Sequence, residues 1–262
     1  GSAENLEVIL SGYLDFPYGV YSERSSRSSG ISLNARLSTP ALRSPLGFIT
    51  RNALSIPRRG ISLGIEYNNR RDYFRITEWK SSYDLRWNTS PKITHQIGVV
   101  NLSYSYLINT TQAFDTLLDQ NAFIRNSFRD QLITGPSYRF TWNNTQEPFK
   151  TFRTYYDAEV QLAGTIFRGV GLLANARPEQ YTIFGVPFSQ FVRLNSDFRF
   201  YLRLGNRYSY LAFRNVFGIG LPYGNSSSMP YTEQFYIGGS SSLRPATARV
   251  LGPGRTLDLD PE

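Results

Sequence analysis

The sequence predicts an all-β fold, an antiparallel transmembrane β-barrel to which this chain contributes about nine strands. Three observations predict it. Apolar and polar residues alternate with period two in many separate stretches, the mark of strands with two unlike faces. Away from the stretch ends, the apolar phase holds no Asp, Glu, Lys or Arg, although 18% of the chain is charged. Aromatic residues, 15% of the chain, gather toward the stretch ends on that same phase. A soluble antiparallel sheet also alternates. An uncharged face is what lipid demands, because a charge there costs ~2–4 kcal/mol at the bilayer midplane, and aromatic rows suit the headgroup level.

The strands are read at about 4–14, 30–38, 60–68, 79–88, 97–108, 136–142, 150–163, 190–204 and 209–222. In the third, Ile61, Leu63, Ile65 and Tyr67 alternate with Ser62, Gly64, Glu66 and Asn68. The fourth carries Tyr83, Leu85 and Trp87 around Asp84 and Arg86. The seventh sets Phe152, Tyr156, Ala158, Val160 and Leu162 against Arg153, Asp157, Glu159 and Gln161. The eighth sets Val192, Leu194, Phe198, Phe200, Leu202 and Leu204 against Arg193, Asn195, Asp197, Arg199 and Arg203. Trp79, Tyr83, Trp87, Tyr104, Tyr106, Tyr138, Phe140 and Trp142 form the aromatic groups. Segments 143–148 and 205–207 read as short turns on one side; 108–135, 164–189 and the chain after 222 are long connections on the other, as in barrels with short inner turns and long outer loops. Segment 41–59 breaks that rule. Within 108–135, Phe114, Leu117, Leu118, Ile124, Phe128 and Leu132 recur at helical spacing and predict a short amphipathic helix packed on its own loop.

Composition narrows function. The chain has no cysteine, one histidine (His95) and one methionine (Met229), so thiolate chemistry is excluded and any triad or imidazole metal site must use one ring. No enzyme activity and no cofactor is expected. No apolar run reaches the ~18–20 residues of a transmembrane helix. The net charge of +8 comes from 25 arginines against Lys80, Lys92 and Lys150, spread along the chain rather than gathered into a patch. That distribution argues against a nucleic-acid partner. It favours pairing of guanidinium with carboxylate in a confined space. The candidates for such interior pairs are Arg153, Asp157, Glu159, Arg193, Asp197, Arg199 and Arg203. Asp157 and Glu159, two residues apart on one face, read as ion-pair partners rather than an acid/base couple. His95 is placed in a short turn, exposed to solvent, and Gly252, Pro253 and Gly254 form a turn rather than a phosphate loop.

Residues 231–254 carry a motif: Phe235 and Tyr236 before Gly238 and Gly239, then Ser242, Leu243 and Arg244, then Gly252, Pro253 and Gly254. This resembles the sixth extracellular loop of the BamA/TamA family of outer-membrane assembly barrels. Gly218 to Asn225, Pro57 to Arg75 and the opening Gly1 to Glu7 are similar to members from Bacteroidetes-like bacteria. By the resemblance, Leu243 and Arg244 match the Val and Arg of the family's Val-Arg-Gly-aromatic sequence. That arginine is held inside the barrel by acidic or aromatic wall groups. Pro245 and Ala246 depart from the pattern, and proline fixes φ and removes an amide donor at the loop tip.

The resemblance implies a sixteen-stranded barrel with this loop after its eleventh strand. The first two and last five strands, any periplasmic repeats, and the wall partners of Arg244 then lie outside this chain. It also implies a bacterial outer-membrane protein that inserts or translocates other outer-membrane proteins without enzymatic chemistry. Its partners would be outer-membrane lipid and lipopolysaccharide, nascent client barrels and accessory lipoproteins. Two alternatives stay open: a solute porin or transporter barrel, and a soluble β-sandwich binding module.

Overall fold

The structure, a computed structural model, describes residues 4–15, 28–41, 54–70, 73–147, 150–165, 182–183, 186–205 and 209–237. Nine strands form one antiparallel sheet in the order β1 (Asn5–Asp15), β2 (Ser28–Pro40), β3 (Arg58–Arg70), β4 (Phe74–Ser90), β5 (Ile93–Thr110), β6 (Gln131–Asn143), β7 (Phe152–Ala163), β10 (Phe191–Arg203) and β11 (Tyr210–Pro222). A two-residue pair, β8 (Thr182–Ile183) with β9 (Val186–Pro187), lies between β7 and β10. The sheet is a meander of sequential neighbours, and it is open: β1 and β11 are its edges among the described residues.

All nine predicted stretches are strands of this sheet; β2 to β6 run past their predicted ends, β1 is shifted by one residue, and β7, β10 and β11 are one or two residues shorter. The β4–β5 turn is only Pro91 and Lys92, so pairing runs to Ser90↔Ile93. His95 therefore sits inside β5 and not in a turn. It faces the apolar side, stacked 5.2 Å from Trp87, with Nδ1 2.8 Å from the Tyr138 hydroxyl. The helical reading of 108–135 resolves into α1 (Gln112–Gln120) and α2 (Ala122–Ser127). Thr111 caps the first, accepting from the Phe114 amide, and Asn121 ends it and caps the second, accepting from the Phe123 and Ile124 amides. Leu132, counted into the helical period, belongs to β6, where its strand pairs with β5.

Register joins the strands' apolar phases into one surface. Leu37 lies opposite both Leu6 and Ile61, which in turn opposes Tyr83. Tyr138 links Ile97 to Val160, and Val160 leads through Leu194 to Ile219. A one-residue slip at any ladder would break this continuity. Arg59 and Arg75 fall on the apolar phase only at strand ends.

The opposite, polar face is concave. A single cavity of about 290 Å³ is lined from six consecutive strands, from Asn34 of β2 to Gln161 of β7. Buried apolar packing sits at one end of this concavity, the end of the long connections. There Phe74, Ile76 and Phe114 pack with Phe128 and Tyr231, and beside them Ile133, Ala163 and Phe191 pack under Met229. Residues 223–237 supply the covering side chains by turning back over the polar face after β11. Only ten apolar side chains among the described residues are buried, whereas thirty-three large ones are exposed, including Leu63 at 60% and Phe213 at 54%. Leu85 is an exception, packed at 1% exposure with Trp87 against Tyr83, Ile97 and Val99.

Candidate functional site

Every strand contributes polar-phase residues to the concave face, and the pleat alone aims them inward. Arg36 of β2 reaches Asp84 of β4 across the intervening strand, its Nη2 donating to both carboxylate oxygens at 2.8 and 2.7 Å. Gly60 of β3 makes that reach possible, since a β-carbon there would lie 2.5 Å from the Arg36 guanidinium. Glu66 and Glu78 stand directly opposite each other in register, an arrangement that like charges oppose. Lys80 resolves it, with its Nζ 2.9 Å from Glu66 and 3.0 Å from Glu78.

The second half of the sheet repeats the device. Arg139 of β6 donates to Glu159 at 2.6 Å and stands 3.7 Å from Asp157. Thr141 Oγ1 donates to Asp157 at 2.8 Å. Asp197, directly opposite Asp157, is forked by two guanidinium groups: Arg199 donates at 3.0 and 2.7 Å, and Arg214 of β11 at 3.2 and 2.8 Å. Bidentate Arg–carboxylate pairs fix orientation as well as charge. Arg193 bonds Glu233 of the returning segment at 3.1 Å and lies 4.7 Å over the Phe235 ring.

Glu233 is the one charged group that the returning segment sets into the concavity. Burial pushes its carboxyl above the usual carboxylate range, Arg193 pulls it back in part, and Glu78 and Glu159 raise it while Lys80 lowers it. Its chain is anchored on both sides. Gln234 Nε2 donates to Ser127 Oγ at 3.1 Å, and Tyr231 stacks on Phe128 at 4.3 Å.

Of the interior pairs proposed from sequence, Asp157, Glu159, Arg193, Asp197 and Arg199 lie in these networks. Arg153 instead stacks its guanidinium 4.5 Å over the Tyr210 ring, and Arg203, near the far end of β10, makes no ion pair among the described residues. Arg36, Asp84, Lys80, Arg139, Arg214 and Glu233 were not among the ion-pair candidates read from sequence. Alternation placed the strand residues among them on the right face, but their partners depend on register and on sheet curvature. The loop-motif residues Gly238, Gly239, Leu243, Arg244, Gly252, Pro253 and Gly254 lie outside the described residues.

Carboxylates locked by guanidinium and ammonium groups hold neighbouring strands in register and leave a polar, mixed-charge surface around the cavity. No protein-family model matches the chain, and no curated protein matches it either.

Proposed function

We propose that this chain is part of the wall of a bacterial outer-membrane β-barrel, its apolar face toward lipid and its concave face toward the lumen. The observation that carries the reading is the inverted distribution of apolar surface. The sheet presents one continuous apolar face, largely exposed apart from the packed Leu85–Trp87 patch, while its charges pair on the other side. A soluble sandwich would bury that face against a second sheet. The aromatics support a bilayer as well. Trp79, Tyr104 and Tyr106 lie toward one end of the face, and Trp87, Phe140 and Trp142 toward the other. From Trp79 to Trp87 is roughly 26 Å along the strand, or about 20 Å along the membrane normal at a barrel's tilt, close to the ~25 Å apolar band of outer-membrane barrels. A spanning sheet has no water to satisfy its edges, so β1 and β11 are to be joined by further strands in the assembled protein.

By the resemblance of residues 231–254, we assign the barrel to a BamA/TamA-like machine that inserts or translocates outer-membrane proteins. The return of residues 223–237 onto the concave face supports a loop that enters the lumen. Activity in such a machine is mechanical: the seam between first and last strands opens and client strands add to the exposed edge. No group on this chain is asked to do covalent chemistry.

Depletion of the protein in its host tests the assignment. Steady-state levels of unrelated outer-membrane barrels should fall together, and Arg244→Ala should reproduce part of that loss while Arg244→Lys rescues partly. Normal levels of those barrels alongside loss of uptake of a solute would overturn the assembly role in favour of a porin.

A further inference from the structure

The geometry points to a clasp between β11 and the segment that follows it. Phe235 seats in a notch left by Gly218, and Arg193, held between the Phe235 ring and the Glu233 carboxylate, pins residues 229–237 to the concave face. This goes beyond the assembly role and does not rest on it, since the same contacts would serve any barrel built on this sheet.

Gly218 and Gly220 alternate on the polar phase of β11, opposite Asn195 and Arg193 of β10. Glycine inside a strand weakens it and marks a place where another part of the chain comes close. Here that part is the returning segment. A β-carbon at Gly218 would lie 2.5–2.8 Å from three atoms of the Phe235 ring, and one at Gly220 would lie 3.0 Å from the Met229 methyl. The strand thus presents two adjacent gaps, and the segment fills each with one side chain.

Arg193 closes the clasp. Its guanidinium face covers the Phe235 ring at 4.7 Å while its Nη1 donates to Glu233 at 3.1 Å. A planar cation can stack and pair at once, which a lysine ammonium cannot do as well. The far side of the segment is fixed independently by Tyr231 against Phe74 and Phe128 and by Gln234 on Ser127. The chain beyond residue 237 therefore starts from a root held between β10–β11 on one side and α2 on the other.

A thiol reporter tests the clasp. The chain has no cysteine, and the Thr232 hydroxyl is buried, so Thr232→Cys supplies a single shielded thiol. In the protein assembled in membranes, with folding monitored by heat-modifiable gel mobility, maleimide labelling of that thiol should be slow. Phe235→Ala, Gly218→Leu and Arg193→Ala should each accelerate it about ten-fold or more, as expected when a local opening loses its restraint. The Gly218→Leu/Phe235→Ala double variant should match Phe235→Ala alone, because both changes act through one contact. Arg193→Lys should restore only part of the protection. Unchanged labelling in Phe235→Ala, which alters no strand and leaves folding decidable, would overturn the clasp. So would additive effects in the double variant, which would place Gly218's role in the strand itself.

Discussion

Glu233 and Arg193 form an ion pair whose two halves should respond differently to removal. Both side chains are largely buried, at 16% and 26% exposure. Arg193→Ala leaves a buried carboxylate beside Glu78 and Glu159 and should cost on the order of 3 kcal/mol of segment docking, whereas Glu233→Gln keeps the shape and should cost under about 1 kcal/mol. The carboxyl of Glu233 is raised in the docked state, so its favourable contribution is complete below the ordinary Glu pKa of about 4.3 and is lost as pH rises through the raised value. A nitroxide at Thr232 should accordingly grow more mobile as pH rises from below about 4.3, and Glu233→Gln should abolish that dependence. At Lys80, removal exposes two facing carboxylates, of which Glu78 is 5% exposed. Lys80→Gln should lower stability by about 2 kcal/mol, and Lys80→Gln with Glu78→Gln should recover most of it. A double-mutant cycle by denaturant unfolding in detergent measures this. At this scale the sequence was half legible. Asp157, Glu159, Arg193, Asp197 and Arg199 were placed on one face from alternation alone. Their partners were not, because Arg139, Arg214 and Glu233 meet them only through ladder register and the reversal after β11.

Strands were the most legible elements, since each is long enough, from 11 to 18 residues, for its alternation to repeat several times. Their ends were less so. β4 gains Phe74 and Ile76 on its polar phase, where apolar residues contradict the pattern because α1 and α2 cover them. One helical period ran on into Leu132 because spacing alone cannot tell a helix residue from the first residues of the strand that follows it, where Leu132 stands opposite Tyr104. His95 was misplaced because a two-residue turn leaves almost no turn sequence to read. Two predictions belong here. Phe128→Ala, which removes a ring stacked on Tyr231 and edge-on to Phe74 and Phe114, should cost about 3 kcal/mol and loosen the helical connection and the returning segment together. Hydrogen exchange at 112–127 and 229–237 should rise in parallel, and independent behaviour of the two would refute their shared packing. Leu63→Arg, on the exposed apolar face, should cost ~2–4 kcal/mol in a bilayer, whereas Ser82→Arg on the concave face should be tolerated. Equal tolerance at both positions in a membrane folding assay would remove the distinction between the faces.

At the scale of the whole molecule, the described chain stores its order in backbone ladders and ion pairs rather than in a central apolar core. Its largest apolar surface faces outward, and its two edge strands offer unpaired amides and carbonyls, which are templates for association in water. The sheet is open among the described residues, and the proposed barrel would close it with further strands and cover its apolar face with lipid. All three tryptophans, Trp79, Trp87 and Trp142, lie on that face, so native fluorescence reports on it without any substitution. Quenching of that fluorescence by lipids brominated along their acyl chains, in reconstituted protein, tests the central claim most directly. Lipid contact predicts strong quenching, greatest when bromine lies near the headgroup end, with Trp79 (52% exposed) contributing most, and weak quenching by aqueous acrylamide. Strong quenching by acrylamide with none by brominated lipid would contradict it.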